Sequence, residues 1–143
     1  MAMLMTTSPA LGVQLSDFGW KNRPLLIFAK DHQSPDFTDA LDKLARRKCE
    51  LNDRDMVVGV IVSQGRSTLD GREISGPEAA AIRREYGITN ERFATLLIGK
   101  DGGEKLRLHE TPDPDTVFAL IDSMPMRQRE MAANSSDCDE DLR

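Results

Sequence analysis

Cysteine is scarce in this chain, and the place where it is missing says more than the places where it occurs. Two cysteines, Cys49 and Cys138, stand among 143 residues. Pro24 to Lys30 reads as a buried strand, Asp31-His32-Gln33-Ser34 as a short loop and Pro35 to Arg47 as a capped helix. A helix start offers free N–H groups and a partial positive charge that stabilise a thiolate. This loop holds no sulfur for them to act on. Cys49 reads as the C-terminal end of the same helix, where the dipole and Glu50 oppose ionisation. Spacing leaves a Cys49–Cys138 disulfide open, but cysteine use this sparse fits a reduced protein or one indifferent to redox state.

Other shortages exclude whole classes of function. Aromatic residues make up 5% of the chain and the formal net charge is -5, so both the basic face and the stacking platforms that a nucleic acid needs are in short supply. No apolar run approaches the roughly 20 residues of a membrane span. The two histidines, His32 and His109, lie in separate elements without ligand spacing, so neither a metal nor a cofactor is expected. The first residues lack a basic segment followed by an apolar run, which predicts a cytoplasmic protein as the sequence stands, with a periplasmic or secreted one as the alternative if the start lies upstream.

What is present is the makings of one domain: 39% hydrophobic and 30% charged residues over a length that buries a single core. Leu25 to Phe28 and Met56 to Val62 are continuous apolar runs, the mark of strands covered on both faces, and the helix between them makes the unit β-α-β. That helix has Ser34 as N-cap, Pro35 at its first position and an apolar stripe of Phe37, Leu41 and Leu44. Asp70-Gly71 predicts a tight hairpin, and Pro77 and Gly87 bound a second helix. Phe93 to Gly99 predicts a third core strand, returned through Asp101-Gly102-Gly103 to an edge strand over Glu104 to His109. Asp113 and Pro114 open a last helix, which Pro125 interrupts. Trp20 is the expected anchor of the segment before the first strand. The fold class is α/β and thioredoxin-like, a mixed sheet of at least four strands flanked by helices on both faces, its first two strands parallel. Residues 1–14 are expected as a flexible N-terminus, 15–131 as the domain and 132–143 as a disordered acidic tail.

Two places invite function. Asp31, His32, Gln33 and Ser34 occupy the first strand-to-helix loop, where helix N–H groups favour an anion or polar ligand and His32 beside Asp31 offers a base. Met124, Met126, Arg127 and Arg129 combine adaptable thioethers with cations, a composition suited to docking a partner. An unidentified protein or small molecule is the expected ligand. The leading expectation is a redox-inactive binding module, leaning away from an enzyme. The alternatives are a stress-related oxidoreductase or hydrolase using Asp31 and His32 or Cys49, and a self-associating structural protein that dimerises through its edge strand or the Met124–Met131 segment.

Arg23-Pro24-Leu25-Leu26-Ile27-Phe28-Ala29, Leu96 to Arg107 with its Gly99-Lys100-Asp101-Gly102-Gly103 core, and Asp122-Ser123-Met124-Pro125-Met126-Arg127 together resemble an uncharacterised, thioredoxin-like or peroxiredoxin-like domain family, over about residues 15–131. The resemblance implies bacterial members that are mostly short stand-alone proteins, and related domains in animal extracellular matrix proteins, including the down-regulated-by-oncogenes protein and sushi-repeat-containing proteins. It implies no catalytic residue.

Overall fold

In the computed structural model, which describes residues 12–89, 92–136 and 138, side chains alternating along one strand divide the interior in two. That strand, β1 (Arg23–Ala29), is buried over its whole length. β2 (Met56–Val62) runs parallel to it, with Leu25 opposite Val58 and Ile27 opposite Val60. β3 (Thr68–Leu69) and β4 (Arg72–Glu73) form a small hairpin beyond β2. β5 (Ala94–Ile98) covers the other edge of β1 antiparallel, and β6 (Glu104–Leu108) closes that side. The order is β4-β3-β2-β1-β5-β6, a mixed six-stranded sheet.

Five helices cover it: α1 (Pro35–Ala45), α2 (Lys48–Asp53), α3 (Gly76–Tyr86), α4 (Pro114–Asp122) and α5 (Pro125–Ala133). On one face Leu26, Phe28 and Ile61 pack with Phe18, Ala79 and Ile82. On the other, Leu25, Ile27 and Val60 pack with Phe37, Leu44, Phe118 and Ile121. Each such side chain withdrawn from water is worth about 1.5–3 kcal/mol, so the two-sided core explains why both central strands are apolar throughout. Turn chemistry follows the residues. Asp70 and Gly71 both take positive φ, 53° and 77°, as the tightest hairpin loop requires, and Gly87 ends α3 in the left-handed region at φ 64°.

Five local expectations are corrected. Trp20 is 69% exposed, and Phe18, 5% exposed at the end of a 3-10 turn (Leu15–Phe18), is the anchor instead. Ser34 stands at the N-cap of α1 but its hydroxyl makes no capping bond. The first helix breaks at Arg46 and Arg47, whose N–H groups turn back to Asp42, Leu44 and their neighbours, so Cys49 is the second residue of the separate helix α2 rather than the end of α1. Pro125 begins α5, because a residue without an N–H loses nothing in the first turn. The cysteines are not free: Cys49 and Cys138 form a disulfide, with Cα atoms 5.7 Å apart. Of the 132–143 segment, α5 runs to Ala133 and Cys138 is 7% exposed. Residue 137 and residues 139–143 lie outside the described residues, as do residues 1–11 of the expected flexible N-terminus.

Candidate functional site

The two ends of β1 carry the two places singled out in the sequence. At its C-terminal end, His32 and Gln33 are exposed while Asp31 and Ser34 are half-buried. The His32 ring meets Phe37 edge-on at 5.3 Å, and its Nε2 lies 2.8 Å from the Arg66 carbonyl. The ring fits against Gly65, where a Cβ would stand 2.9 Å from His32 Cδ2. Asp31 accepts the Gln33 N–H at 2.9 Å. The imidazole is thus used to tie the 63–67 loop to α1, and the carboxylate to shape its own loop. The four residues share a loop without forming an Asp31–His32 pair.

At the N-terminal end of β1 lies a dense ionic assembly. Arg23, 2% exposed, grips Glu130 with both terminal nitrogens at 3.0 and 2.8 Å and donates to the Arg54 carbonyl. Lys100 bridges Glu130 at 3.0 Å and Asp55 at 2.9 Å. Arg54 is bidentate on Asp122, and its guanidinium lies 4.5 Å from the Phe118 ring centre. Arg127 joins Asp122 and Asp53 at 3.0 and 2.9 Å and donates to the Asp53 carbonyl. These pairs tie the starts of β1 and β2, the end of β5 and the joint between α4 and α5 into one pole. The electrostatics follow from the contacts. The Arg23 fork, opposed by burial and helped by Lys100, holds the Glu130 carboxyl down at about 2 from its ordinary 4.5. Burial raises the Asp122 carboxyl, but Arg54 and Arg127 outweigh it and the net direction is down.

Arg127 therefore differs from its expected role in partner docking. It is 4% exposed and its nitrogens are satisfied internally, so it braces the fold. Met124 and Met126 are half-buried and Arg129 is exposed, and these three, with Pro125, border a cleft of about 320 Å³. Trp20, Lys100 and Lys105 also line it. The Trp20 backbone is held at φ 65°, a conformation uncommon for an aromatic residue, by an N–H bond of 2.6 Å to the Lys100 carbonyl. The flanking Gly19 and Asn22, which favour turns, are the signal that marks this tryptophan as a loop residue.

A family model described as Domain of unknown function (DUF4174) matches residues 14–130. The chain belongs to this family. It is also 30% identical over 141 residues to coiled-coil domain-containing protein 80 of Danio rerio, a match covering 85% of this chain and 16% of that protein. The chain thus spans 16% of the length of that relative. Among solved structures it is similar to a reduced 2-Cys peroxiredoxin of Plasmodium vivax, with a TM-score of 0.60 and 15% identity over 80% of this chain and 84% of that one. Thioredoxin peroxidase I of Plasmodium yoelii gives a TM-score of 0.54 and 22% identity over 87% and 84%. At these identities the likeness establishes the thioredoxin-like fold of the DUF4174 domain.

Among the described residues of this DUF4174 domain no group of three or more His, Cys, Asp or Glu side chains is placed to hold a metal, and no helix is long and apolar enough to cross a membrane. Sequence reasoning placed Met124, Met126 and Arg129 on one surface and missed Trp20, Lys100 and Glu130. Lys100 lies inside Gly99-Lys100-Asp101-Gly102-Gly103, so the signal was present as a motif whose partner, Glu130, sits 30 residues away.

Proposed function

We propose that the domain is a redox-inactive thioredoxin-like module that docks a partner protein at the Trp20 cleft. One observation carries the reading. The chain's single tryptophan is 69% exposed, on a backbone held at positive φ, and lines one cleft with two methionines and a proline. Exposed tryptophan flanked by arginine is the composition that dominates binding energy at protein interfaces, and methionine adapts to varied partners. Strained backbone kept in place by its surroundings is also more common where function requires it. The ionic assembly beneath the cleft supports the reading by fixing β1, β5 and α5 so that the cleft walls are preorganised.

The disulfide fits an oxidising compartment, so we place the protein in the periplasm or outside the cell, as in the extracellular proteins that the family resemblance suggests. A second reading has its own observation: Cys49 stands in the first turn of α2 rather than at the end of α1, and its bond to Cys138 is the one disulfide among the described residues. That reading makes the Cys49–Cys138 pair a reagent rather than a staple, and the reducing activity of the protein separates the two.

Docking is tested by placing a photoreactive amino acid at Met126 and irradiating the protein in an extract of its native host. The expected result is a discrete adduct that is absent when the same probe stands at exposed Arg84, on α3. An adduct of twice the chain mass would identify the partner as a second copy. Labelling no stronger at Met126 than at Arg84 would overturn the reading.

A further inference from the structure

The charge around the cleft narrows the class of partner, an inference that rests on the docking reading above. Four cations line it: Arg23, Lys100, Lys105 and Arg129. Three are internally neutralised. Arg23 and Lys100 share Glu130, Lys100 also holds Asp55, and Lys105 pairs with Asp101 at 3.0 Å. Asp101, the carboxylate of the lining, is committed further by accepting the Gly103 N–H at 2.9 Å. Arg129 is different. It is exposed and forms no ion pair among the described residues, and Lys21, exposed beside Trp20, has none either. In a chain with a net charge of -5 the cleft lining therefore carries one cation, Arg129, without a carboxylate partner among the described residues, and Lys21 adds a second next to Trp20 in the sequence.

We propose that the cleft receives an acidic polypeptide segment carrying one apolar anchor. The anchor, a side chain of leucine or phenylalanine size, enters between the Trp20 indole and the floor of Met124, Pro125 and Met126, where its burial supplies affinity. An aspartate or glutamate beside the anchor meets Arg129, with Lys21, next to Trp20 in the chain, adding to the same positive field, which supplies orientation and faster encounter. Among the described residues the carboxylates at the cleft, Glu130, Asp55 and Asp101, are already held by Arg23, Lys100 and Lys105. A nucleic acid suits the cleft less well, since a single indole offers one stacking platform and the negative chain repels an extended polyanion.

Trp20 emission reads occupancy directly, because the chain has no second tryptophan. The probes are an acetylated, amidated Glu-Glu-Leu-Phe-Glu-Glu peptide, the same peptide with lysine for every glutamate, a hexaglutamate without the anchor, and a deoxythymidine hexanucleotide. The expected result is a saturable emission change with the first peptide, weakened by added salt and much smaller with the other three. Arg129→Glu should weaken binding roughly tenfold, read by anisotropy of the labelled peptide, whereas Arg66→Glu, in the loop at the opposite end of β1, should leave it unchanged, both variants melting as the parent does. Equal or tighter binding of the lysine peptide would overturn the acidic class while leaving the docking reading intact. Tighter binding of the oligonucleotide would overturn the choice of a polypeptide. No response to any probe would overturn the inference, and photocrosslinking from Met126 would then decide by itself whether the docking reading survives.

Discussion

Glu130→Ala is expected to lower the unfolding free energy by about 3–5 kcal/mol, the cost of stranding a buried charge whose partner is removed. The side chain that suffers is Arg23, which is 2% exposed and directs two nitrogens at the carboxylate. Without Glu130 it keeps the Arg54 carbonyl but has no carboxylate partner among the described residues, while Lys100 keeps Asp55. The same carboxylate gives the protein an acid limit. Its folded pKa of about 2 lies below the ordinary 4.5, so its contribution is complete above about pH 4.5 and is lost as pH falls toward 2. A shift of that size corresponds to roughly 3 kcal/mol, in keeping with the mutational estimate. Asp122 and Glu50, whose carboxyls are also lowered, add to the loss in the same direction. Urea unfolding across this range should show stability dropping steeply with acid in the parent and much less steeply in Glu130→Ala. Identical acid profiles would mean that the Arg23–Glu130 pair does not form in solution.

Opening the Cys49–Cys138 bond is the second large perturbation, with an expected loss of about 2–4 kcal/mol. The bond joins residues 89 apart, and in the unfolded chain so long a loop costs over 4 kcal/mol of closure entropy on a chain-entropy account. The measured loss is expected below that bound, because the unfolded chain retains structure that a random-coil account leaves out. Paired unfolding curves of oxidised and reduced protein measure the difference, and Cys49→Ser with Cys138→Ser should reproduce the reduced curve. The native protein should show no titratable thiol until a reductant is added. Two reactive thiols in the untreated protein would contradict the bond.

Elements specified by local chemistry were legible from residues alone. Met56–Val62 is bounded as a strand by its β-branched run, the hairpin by Asp70-Gly71, α3 by Pro77 and Gly87, and α4 by Asp113 and Pro114. What escaped depends on contacts far apart in the chain. Nothing in the composition around Arg127 separates a docking cation from one buried against Asp53 and Asp122, since the difference lies in residues 74 and 5 positions away. The pairing of the cysteines is silent for the same reason. Trp20 is the expected anchor of the segment before β1, yet Phe18 takes the core position and a turn held by the Lys100 carbonyl leaves Trp20 exposed. The loop of Asp31 to Ser34 was located correctly between β1 and α1, but what its side chains hold, the Arg66 carbonyl and the Gln33 N–H, is a matter of tertiary placement.

The central claim is that this thioredoxin-like scaffold works by docking, with its sulfurs serving as a staple. Peroxide consumption and insulin reduction, followed for the protein with and without prior treatment by a dithiol, test it most directly. The account predicts rates indistinguishable from those of Cys49→Ser under both conditions. Sustained turnover that disappears in Cys49→Ser would contradict it and make the helix-start cysteine a reagent.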